Sequence, residues 1–163
     1  ASTAPLEADF RAEPRRPLVD LYVVVLAVDG LEPGRYRYEA GTARLVRIGE
    51  PLERRSAALL GLGQDLAGDA AADLYVIGDL ERITKELGDR GYRAASLEGG
   101  ISGGSAYLAA YALGLGATGL TFFDDEVAAA FGLDPERYGI LFLTAVGVPA
   151  TKPKRRVPTT SGQ

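Results

Sequence analysis

The chain contains neither cysteine nor histidine. Without cysteine there is no disulfide framework and no thiolate nucleophile, and without histidine the usual zinc sites and Ser-His catalytic triads are excluded. Any chemistry must therefore come from a bound cofactor, or from Asp, Glu, Lys, Arg, Tyr, Ser or Thr side chains.

Long apolar runs are also missing. No apolar stretch approaches the roughly 18 residues needed to span a bilayer, and the first residues lack the basic and apolar pattern of a signal peptide. We therefore expect a soluble, cytoplasmic protein that does not associate with membranes. With 163 residues, 47% of them hydrophobic, the chain is long enough for a single domain with a buried core.

Charge is unevenly distributed along the chain, whose net charge is −4. A final segment without any acid holds four basic residues: Lys152, Lys154, Arg155 and Arg156. Residues 1–150 thus carry 14 basic against 22 acidic side chains, which argues against extended nucleic-acid binding. The sequence predicts an extended arm over 1–17, one domain over 18–150 and a basic tail over 151–163.

The stretch 92–123 predicts a long helix, a Gly-rich exit and a strand. Apolar side chains recur at helical spacing over 92–113, between many alanines that favour a helix: Tyr92, Leu97, Ile101, Leu108 and Tyr111. Arg93 and Glu98 are the only charges in this range, so no face is polar. Such a helix is expected in the middle of a core or between two subunits.

Four glycines interrupt this helical pattern: Gly99, Gly100, Gly103 and Gly104. Each costs about 1 kcal/mol relative to alanine inside a helix. One interpretation is a strip on one face that lets another backbone or a flat ligand approach closely. The alternative is that the helix breaks at Gly99 and resumes with Ser102 as its N-cap.

Residues 114–119 match the dinucleotide-binding pattern G-x-G-x-x-G. That fingerprint works where the glycines follow a strand and open a helix, so that a pyrophosphate meets the helix N-terminus. Here the glycines follow a helix and precede a predicted strand over 120–123. Gly114 is therefore interpreted as a helix C-cap followed by a turn.

The rest of the chain predicts an α+β sandwich with a mixed or antiparallel sheet flanked by helices. Buried strands are expected over 18–29, 70–77 and 140–148, with a hairpin of 35–39 and 43–48. Helices are expected over 51–62, over 80–87 with Asp79 as its cap, and after the capping residues Asp124 and Asp125. Residues 63–69 are expected to form a loop.

Four phrases occur in a recognisable order: LYVVVLAVDGLEPGRYRYE, GDRGYRAASLEGG, LAAYALGLGATGLTFFDDEVAAAFGLDPE and a closing strand that ends in AVGVP. Together they resemble the FMN-dependent nitroreductase superfamily, in particular its azoline-oxidase-like branch. The resemblance covers residues 18–156.

The resemblance implies a homodimer built around the central helix, with one FMN in each of two interface pockets. Backbone groups of the segment after this helix would contact the flavin ring, and this role falls on Gly119, Leu120, Thr121 and Phe122. The phosphate would be held by the basic tail residues Lys152, Lys154, Arg155 and Arg156, in charge-assisted contacts. Tyr92, Arg93, Glu98 and Tyr107 are candidates for lining the site or for packing, and no catalytic side chain is assigned.

The sequence departs from the family pattern at its front. An Arg-x-Ser-x-Arg segment that grips the flavin phosphate is missing, and the nearest candidates, Arg11, Arg15 and Arg16, lack the serine. Against the family pattern we expect the front of the usual domain to be shortened, which would leave the flavin pocket short of one wall. Glu86 and Leu87 stand where azoline oxidases often carry a Lys-Tyr pair, so azoline oxidation is not supported.

Two functions follow from the resemblance and its departures. The first is an FMN-dependent oxidoreductase that transfers hydride equivalents from NAD(P)H to a small electrophilic acceptor. The alternative is a flavin-free module that keeps the fold for binding or scaffolding.

Overall fold

The computed structural model describes residues 17–150. They form one six-stranded sheet with the order β3-β2-β1-β4-β6-β5. The strands are β1 (Val19–Val25), β2 (Gly34–Glu39), β3 (Arg44–Gly49), β4 (Ala72–Asp79), β5 (Gly116–Leu120) and β6 (Tyr138–Gly147). The helices are α1 (Arg54–Leu60), α2 (Asp65–Asp69), α3 (Leu80–Leu87), α4 (Arg90–Ala112) and α5 (Asp124–Ala130).

Every neighbouring pair of strands in the sheet is antiparallel. At its centre, Tyr75 of β4 pairs with Tyr22 of β1 on one side and with Leu143 of β6 on the other. These three strands are almost continuously apolar because helices cover both faces of the sheet. The predicted α+β sandwich is confirmed.

Two apolar cores lie on the two faces of the sheet. On one face, Ile83 of α3 and Ala95 of α4 pack with the buried side chains of Leu18 and Val76. On the other, α1 and α5 cover an aromatic cluster in which the ring of Phe131 lies 5.1 Å from Tyr22 and 5.5 Å from Tyr75. α4 therefore lies on the face opposite α1 and α5.

The central helix α4 is unbroken over 23 residues, so a break at Gly99 is wrong. Gly99 and Gly103 face the sheet, where a Cβ on Gly103 would lie 2.5 Å from the Phe142 ring and one on Gly99 would lie 3.2 Å from Leu141. Gly100 and Gly104 meet nothing within 4 Å. Gly99 and Gly103 thus form a strip on one face that allows close approach, as predicted, and it is the sheet that approaches. Gly100 and Gly104 are not part of this strip.

The large apolar side chains of α4 point away from the sheet. Between 48% and 73% of each is exposed: Tyr92, Leu97, Ile101, Leu108 and Tyr111. The buried face consists mainly of Gly, Ala and Ser residues. Small residues face the sheet because the helix lies close to it. The large apolar residues that recur at helical spacing therefore lie on the outer face of α4 and not in the core.

The end of α4 confirms the interpretation of Gly114. Its φ of +72° is left-handed, and its N–H donates to the Tyr111 carbonyl at 3.0 Å. The N–H of Leu115 donates to the Ala110 carbonyl at 2.8 Å, which completes a Schellman motif. β5 then starts at Gly116, within the glycine pattern, so the strand predicted over 120–123 is misplaced. The reason is the pairing of residues 116–120 with β6, which a local pattern does not show.

Two further boundaries differ from the prediction. β1 ends at Val25 because the N–H groups of Leu26 and Ala27 both donate to the carbonyl of Ala71 at 2.9 Å. Residues 65–69 form the short helix α2 rather than a loop, with Ala67 fully buried. Packing of this helix against α1, rather than a periodic pattern, accounts for it.

The two predicted helix caps have different outcomes. Asp79 caps α3 as predicted, since its carboxylate accepts the Arg82 N–H at 3.1 Å. Asp124 and Asp125 instead lie inside the first turn of α5, whose N-cap is Phe123 and has no side-chain cap bond. Their effect on that helix is electrostatic.

The two faces of α4 provide a matched test of its packing. Gly103→Ala places a methyl group against the Phe142 ring, whereas Gly104→Ala places it in open space, and both gain the same helix propensity. We expect Gly103→Ala to be less stable than Gly104→Ala by about 1–3 kcal/mol. Urea unfolding of both variants measures the difference, and equal stabilities would contradict the packing described.

Candidate functional site

The outer edge of β5 is the centre of the candidate site. β5 is an edge strand, and the N–H of Gly119 donates to the hydroxyl of Tyr107 on α4 rather than to β6. In an antiparallel ladder the N–H and C=O of one residue point to the same side, and alternate residues share that side. The backbone groups of Gly119 and Ala117 therefore face away from β6.

Gly119 has no side chain to cover this edge. A Cβ at this position would lie 3.2 Å from the Tyr107 hydroxyl oxygen and 3.4 Å from the Phe142 ring. The close approach of α4 therefore favours glycine here. Beside it, the rings of Tyr107 and Tyr111 make an edge-to-face contact with centroids 6.0 Å apart. Backbone polar groups and two aromatic rings thus meet at one edge of the sheet.

The segment after β5 is held by hydrogen bonds to the end of α1 and to Gln64, which follows α1 in the chain. The side-chain amide of Gln64 donates to the Gly61 carbonyl at 2.7 Å and to the hydroxyl and carbonyl oxygens of Thr121 at 3.0 and 3.2 Å. The N–H of Phe123 donates to the Leu60 carbonyl at 3.1 Å. Gln64 therefore fixes the path of residues 121–123.

The predicted flavin contacts Gly119, Leu120, Thr121 and Phe122 lie at the end of β5 and directly after it, and their role stays a prediction. Sequence reasoning missed the residue that supports this segment. Gln64 was not predicted, because it lies 57 residues from Thr121 and no local pattern marks such a contact. The basic residues Lys152, Lys154, Arg155 and Arg156 lie outside the described residues, as do Arg11, Arg15 and Arg16.

Negative charge collects just beyond this stretch. Three acids occupy the first turn of α5: Asp124, Asp125 and Glu126. Burial, with the neighbouring Asp125 carboxylate, raises the pKa of Asp124. An anionic group of a ligand is therefore disfavoured at this end of the site.

A cavity of about 340 Å³ lies at the opposite end of β5. Leu66 and Asp69 of α2, residues 116–118 and residues 145–150 line it. Most of this lining is apolar. The cavity thus reaches the last described residue, Ala150, directly ahead of the basic tail in the sequence.

A second cavity, of about 420 Å³, lies over strands β1 to β4. Its lining is aliphatic apart from Tyr38. No charged side chain lines it, so it is not a candidate for chemistry.

The remaining predicted candidates are not part of this site. Glu98 is 1% exposed, and its carboxylate accepts the N–H groups of Leu18 at 2.6 Å and Val19 at 3.3 Å, so it joins α4 to the start of β1. Tyr92 and Arg93 are exposed near the N-terminal end of α4. At 1.5 Å per residue they lie about 20 Å along the helix from Tyr107. Tyr107 alone of these candidates reaches the β5 edge.

Among residues 17–150 there is no cluster of three acidic side chains placed to hold a metal ion. No helix in this part of the chain has the length and hydropathy needed to cross a bilayer.

The sequence profile of the nitroreductase family matches residues 18–148, which is most of the chain. The chain belongs to the nitroreductase family. A protein of Methanocaldococcus jannaschii, provisionally named a nitroreductase, is 34% identical over 110 residues, which are 67% of this chain and 56% of that protein. The chain thus spans little more than half the length of that curated relative.

Solved structures with the same fold support the family assignment. A protein of Anabaena variabilis, provisionally named a nitroreductase, has a TM-score of 0.78 and 33% identity, over 88% of this chain and 29% of its own. A chain of the Escherichia coli microcin synthetase McbBCD complex has a TM-score of 0.71 and 20% identity, over 91% of this chain and 60% of its own. The NADPH:FMN oxidoreductase of Vibrio harveyi has a TM-score of 0.50 and 23% identity, over 66% of this chain and 51% of its own.

The last two structures are less than 25% identical to this chain, so they show the fold alone. The azoline-oxidase-like branch therefore stays a prediction.

This nitroreductase-family chain also buries two polar groups on the face of the sheet opposite α4. Asp73 and Tyr75 are 0% exposed, and neither the carboxyl oxygens nor the hydroxyl has a hydrogen-bond partner among the described residues. Burial raises the pKa of Asp73 to about 8. Burial and the Asp73 carboxyl raise the pKa of Tyr75. Asp73 is therefore a neutral carboxylic acid near pH 7.

Asp73 predicts a specific pH dependence of stability. Its pKa in the folded protein, about 8, is above the unfolded value near 4, so its stabilising effect is complete below about pH 4 and is lost as pH rises to about 8. The difference in unfolding free energy between wild type and Asp73→Asn should therefore change by up to about 1.4 kcal/mol per pH unit in that window. We expect the unfolding free energy of Asp73→Asn to rise relative to that of wild type as pH rises. Urea unfolding from pH 4 to 8 measures this difference. A constant difference would show that Asp73 is ionised in the fold.

Proposed function

We propose that this chain is part of an FMN-dependent oxidoreductase that transfers hydride equivalents from NAD(P)H to a small electrophilic acceptor. The observation that carries the proposal is the outer edge of β5. There, the outward backbone of Gly119 meets the hydroxyl of Tyr107, whose ring contacts Tyr111, and Gly119 is the first of the four residues at which the family resemblance expects the flavin ring. The family and the flavin oxidoreductase among its structural neighbours support the cofactor.

The residues at this edge fit a flavin ring. A flat ring with polar atoms along one edge needs hydrogen-bonding groups along that edge, and the hydroxyl of Tyr107, bonded to the N–H of Gly119, would offer them. The hydrogen bonds from Gln64 to Thr121 hold the adjoining backbone in one place. When bound, the flavin would supply the redox chemistry, and the protein would supply position and electrostatics.

Charge would orient the cofactor along β5. The three acids at the start of α5 would repel a phosphate at the Thr121 end. The phosphate would therefore lie toward Gly116, near the cavity that reaches Ala150. Lys152, Lys154, Arg155 and Arg156 follow directly in the sequence and would hold it there by charge-assisted hydrogen bonds.

We also propose a homodimer through the outer face of α4. Leu97, Ile101 and Leu108 are 54%, 48% and 73% exposed on this face. A row of large apolar side chains on one helix is typical of an interface rather than a solvated surface. A second copy of this chain matches the homodimer that the family resemblance implies.

The tail provides the test of the cofactor proposal. FMN added to the protein should be bound with quenching of flavin fluorescence, and changing Lys152, Lys154, Arg155 and Arg156 together to Ala should raise the dissociation constant at least about 100-fold. The phosphate contacts are electrostatic, so the wild-type affinity should fall with salt and that of the variant much less.

Riboflavin is the control for this titration, because it has the ring without the phosphate. Its affinity should be the same for wild type and the tail variant. A protein that binds neither flavin at any salt concentration would support the flavin-free module instead.

The dimer proposal is tested by introducing a charged side chain on the apolar outer face of α4. Leu108→Glu should give a monomer in sedimentation experiments, because it buries a carboxylate in the proposed interface. Leu59→Glu is the matched control, since Leu59 is 56% exposed on α1. A dimer that survives Leu108→Glu, or that Leu59→Glu also dissociates, would refute this interface.

A further inference from the structure

We propose that Tyr107 is a ring-positioning residue, whose hydroxyl accepts the N–H of Gly119 and donates its own proton to an acceptor atom on the bound flavin ring. This inference rests on the proposed function and adds a named hydrogen-bond donor to it. The juxtaposition that carries it is a tyrosine hydroxyl on α4 against the outer edge of β5.

The hydrogen-bonding capacity of the hydroxyl supports this role. A tyrosine hydroxyl has one donor proton in addition to its acceptor lone pairs. The acceptor side of Tyr107 is used by Gly119, and among residues 17–150 its proton is donated to no protein acceptor. Tyr107 is only partly buried, so this proton is available to a ligand along the strand edge.

Tyr107 changes which donor a ligand meets at this edge. The N–H of Gly119 is the outward backbone donor at the position expected for the ring, and Tyr107 already takes it. A ligand at this edge would therefore meet the hydroxyl proton of Tyr107 as its donor, instead of the N–H of Gly119. A ring acceptor such as a flavin carbonyl oxygen is the matching partner.

A purely structural role explains the hydroxyl less well. α4 is already held to the sheet by the packing of Gly99 against Leu141 and Gly103 against Phe142. The ring of Tyr107 also contacts Tyr111. Neither contact needs the hydroxyl, so its removal should affect the strand edge and its ligand more than the fold.

The test compares Tyr107→Phe with Tyr92→Phe, which removes a hydroxyl from a 52% exposed tyrosine of the same helix that is not part of the site. Dissociation constants for FMN and riboflavin are measured with wild type and both variants. Tyr107→Phe should weaken both flavins by the same factor, about 10-fold, because the lost bond is to the ring rather than the phosphate. Tyr92→Phe should stay within about twofold of wild type on the same scale. The absorption bands of the bound flavin should shift only in Tyr107→Phe.

A second pair of variants separates the ligand contact from the strand contact, in case Tyr107→Phe does not fold. Tyr107→Gln keeps an acceptor for Gly119 and a donor for the ring, whereas Tyr107→Glu keeps only the acceptor near pH 8. We expect the Gln variant to bind riboflavin several-fold more tightly than the Glu variant. Equal affinities within this pair would overturn the inference.

The outcomes distinguish the inference from the proposed function. If wild type binds no flavin, the proposed function fails and Tyr107 loses its ligand. If wild type binds flavin and Tyr107→Phe behaves like Tyr92→Phe, the proposed function stands and the role of Tyr107 is refuted.

Discussion

The close contact between α4 and the sheet is the constraint on which the rest of the structure depends. Gly99 and Gly103 leave no side chain between the helix backbone and the residues Leu141 and Phe142 of β6. Two glycines inside a helix lower its stability. Van der Waals contacts between the helix backbone and these two side chains offset that cost, because the helix can lie closer to the sheet.

Two polar contacts follow from the short distance between helix and sheet. Near the N-terminal half of α4, the carboxylate of Glu98 reaches the N–H groups that begin β1. Near its C-terminal end, the hydroxyl of Tyr107 reaches Gly119 in β5. The helix thus fastens a central strand and an edge strand of the same sheet. The first contact is buried and structural, and the second lies where a ligand can reach it.

The same contact gives α4 two faces of different character. Its small residues are used against the sheet, which leaves its large apolar residues on the outside. The candidate site at the β5 edge lies next to the apolar outer face of α4. Tyr107 belongs to the site and the adjacent residue Leu108 belongs to the outer face. In the proposed homodimer, a second copy would close the flavin site from the α4 side.

The sequence by itself determined the fold class, the long helix, the turn at Gly114 and the cap at Asp79, because each depends on residues close together in the chain. The role of the stretch Gly119 to Phe122 was predicted only through resemblance to a family, and it stays a prediction. Periodicity alone did not show which side of α4 faces the core. Apolar spacing reports that a face is apolar, and only the sheet decides whether that face is covered.

Tertiary structure decided the features that need partners distant in the chain. β5 starts at Gly116 because β6 pairs with it there, and α2 is helical because Ala67 packs into the core. Gln64 and Thr121 are 57 residues apart, and the burial of Asp73 between central strands is equally invisible to a local pattern. Hydrogen bonds and burial of this kind depend on where the chain returns to itself, and no short stretch of sequence carries that information.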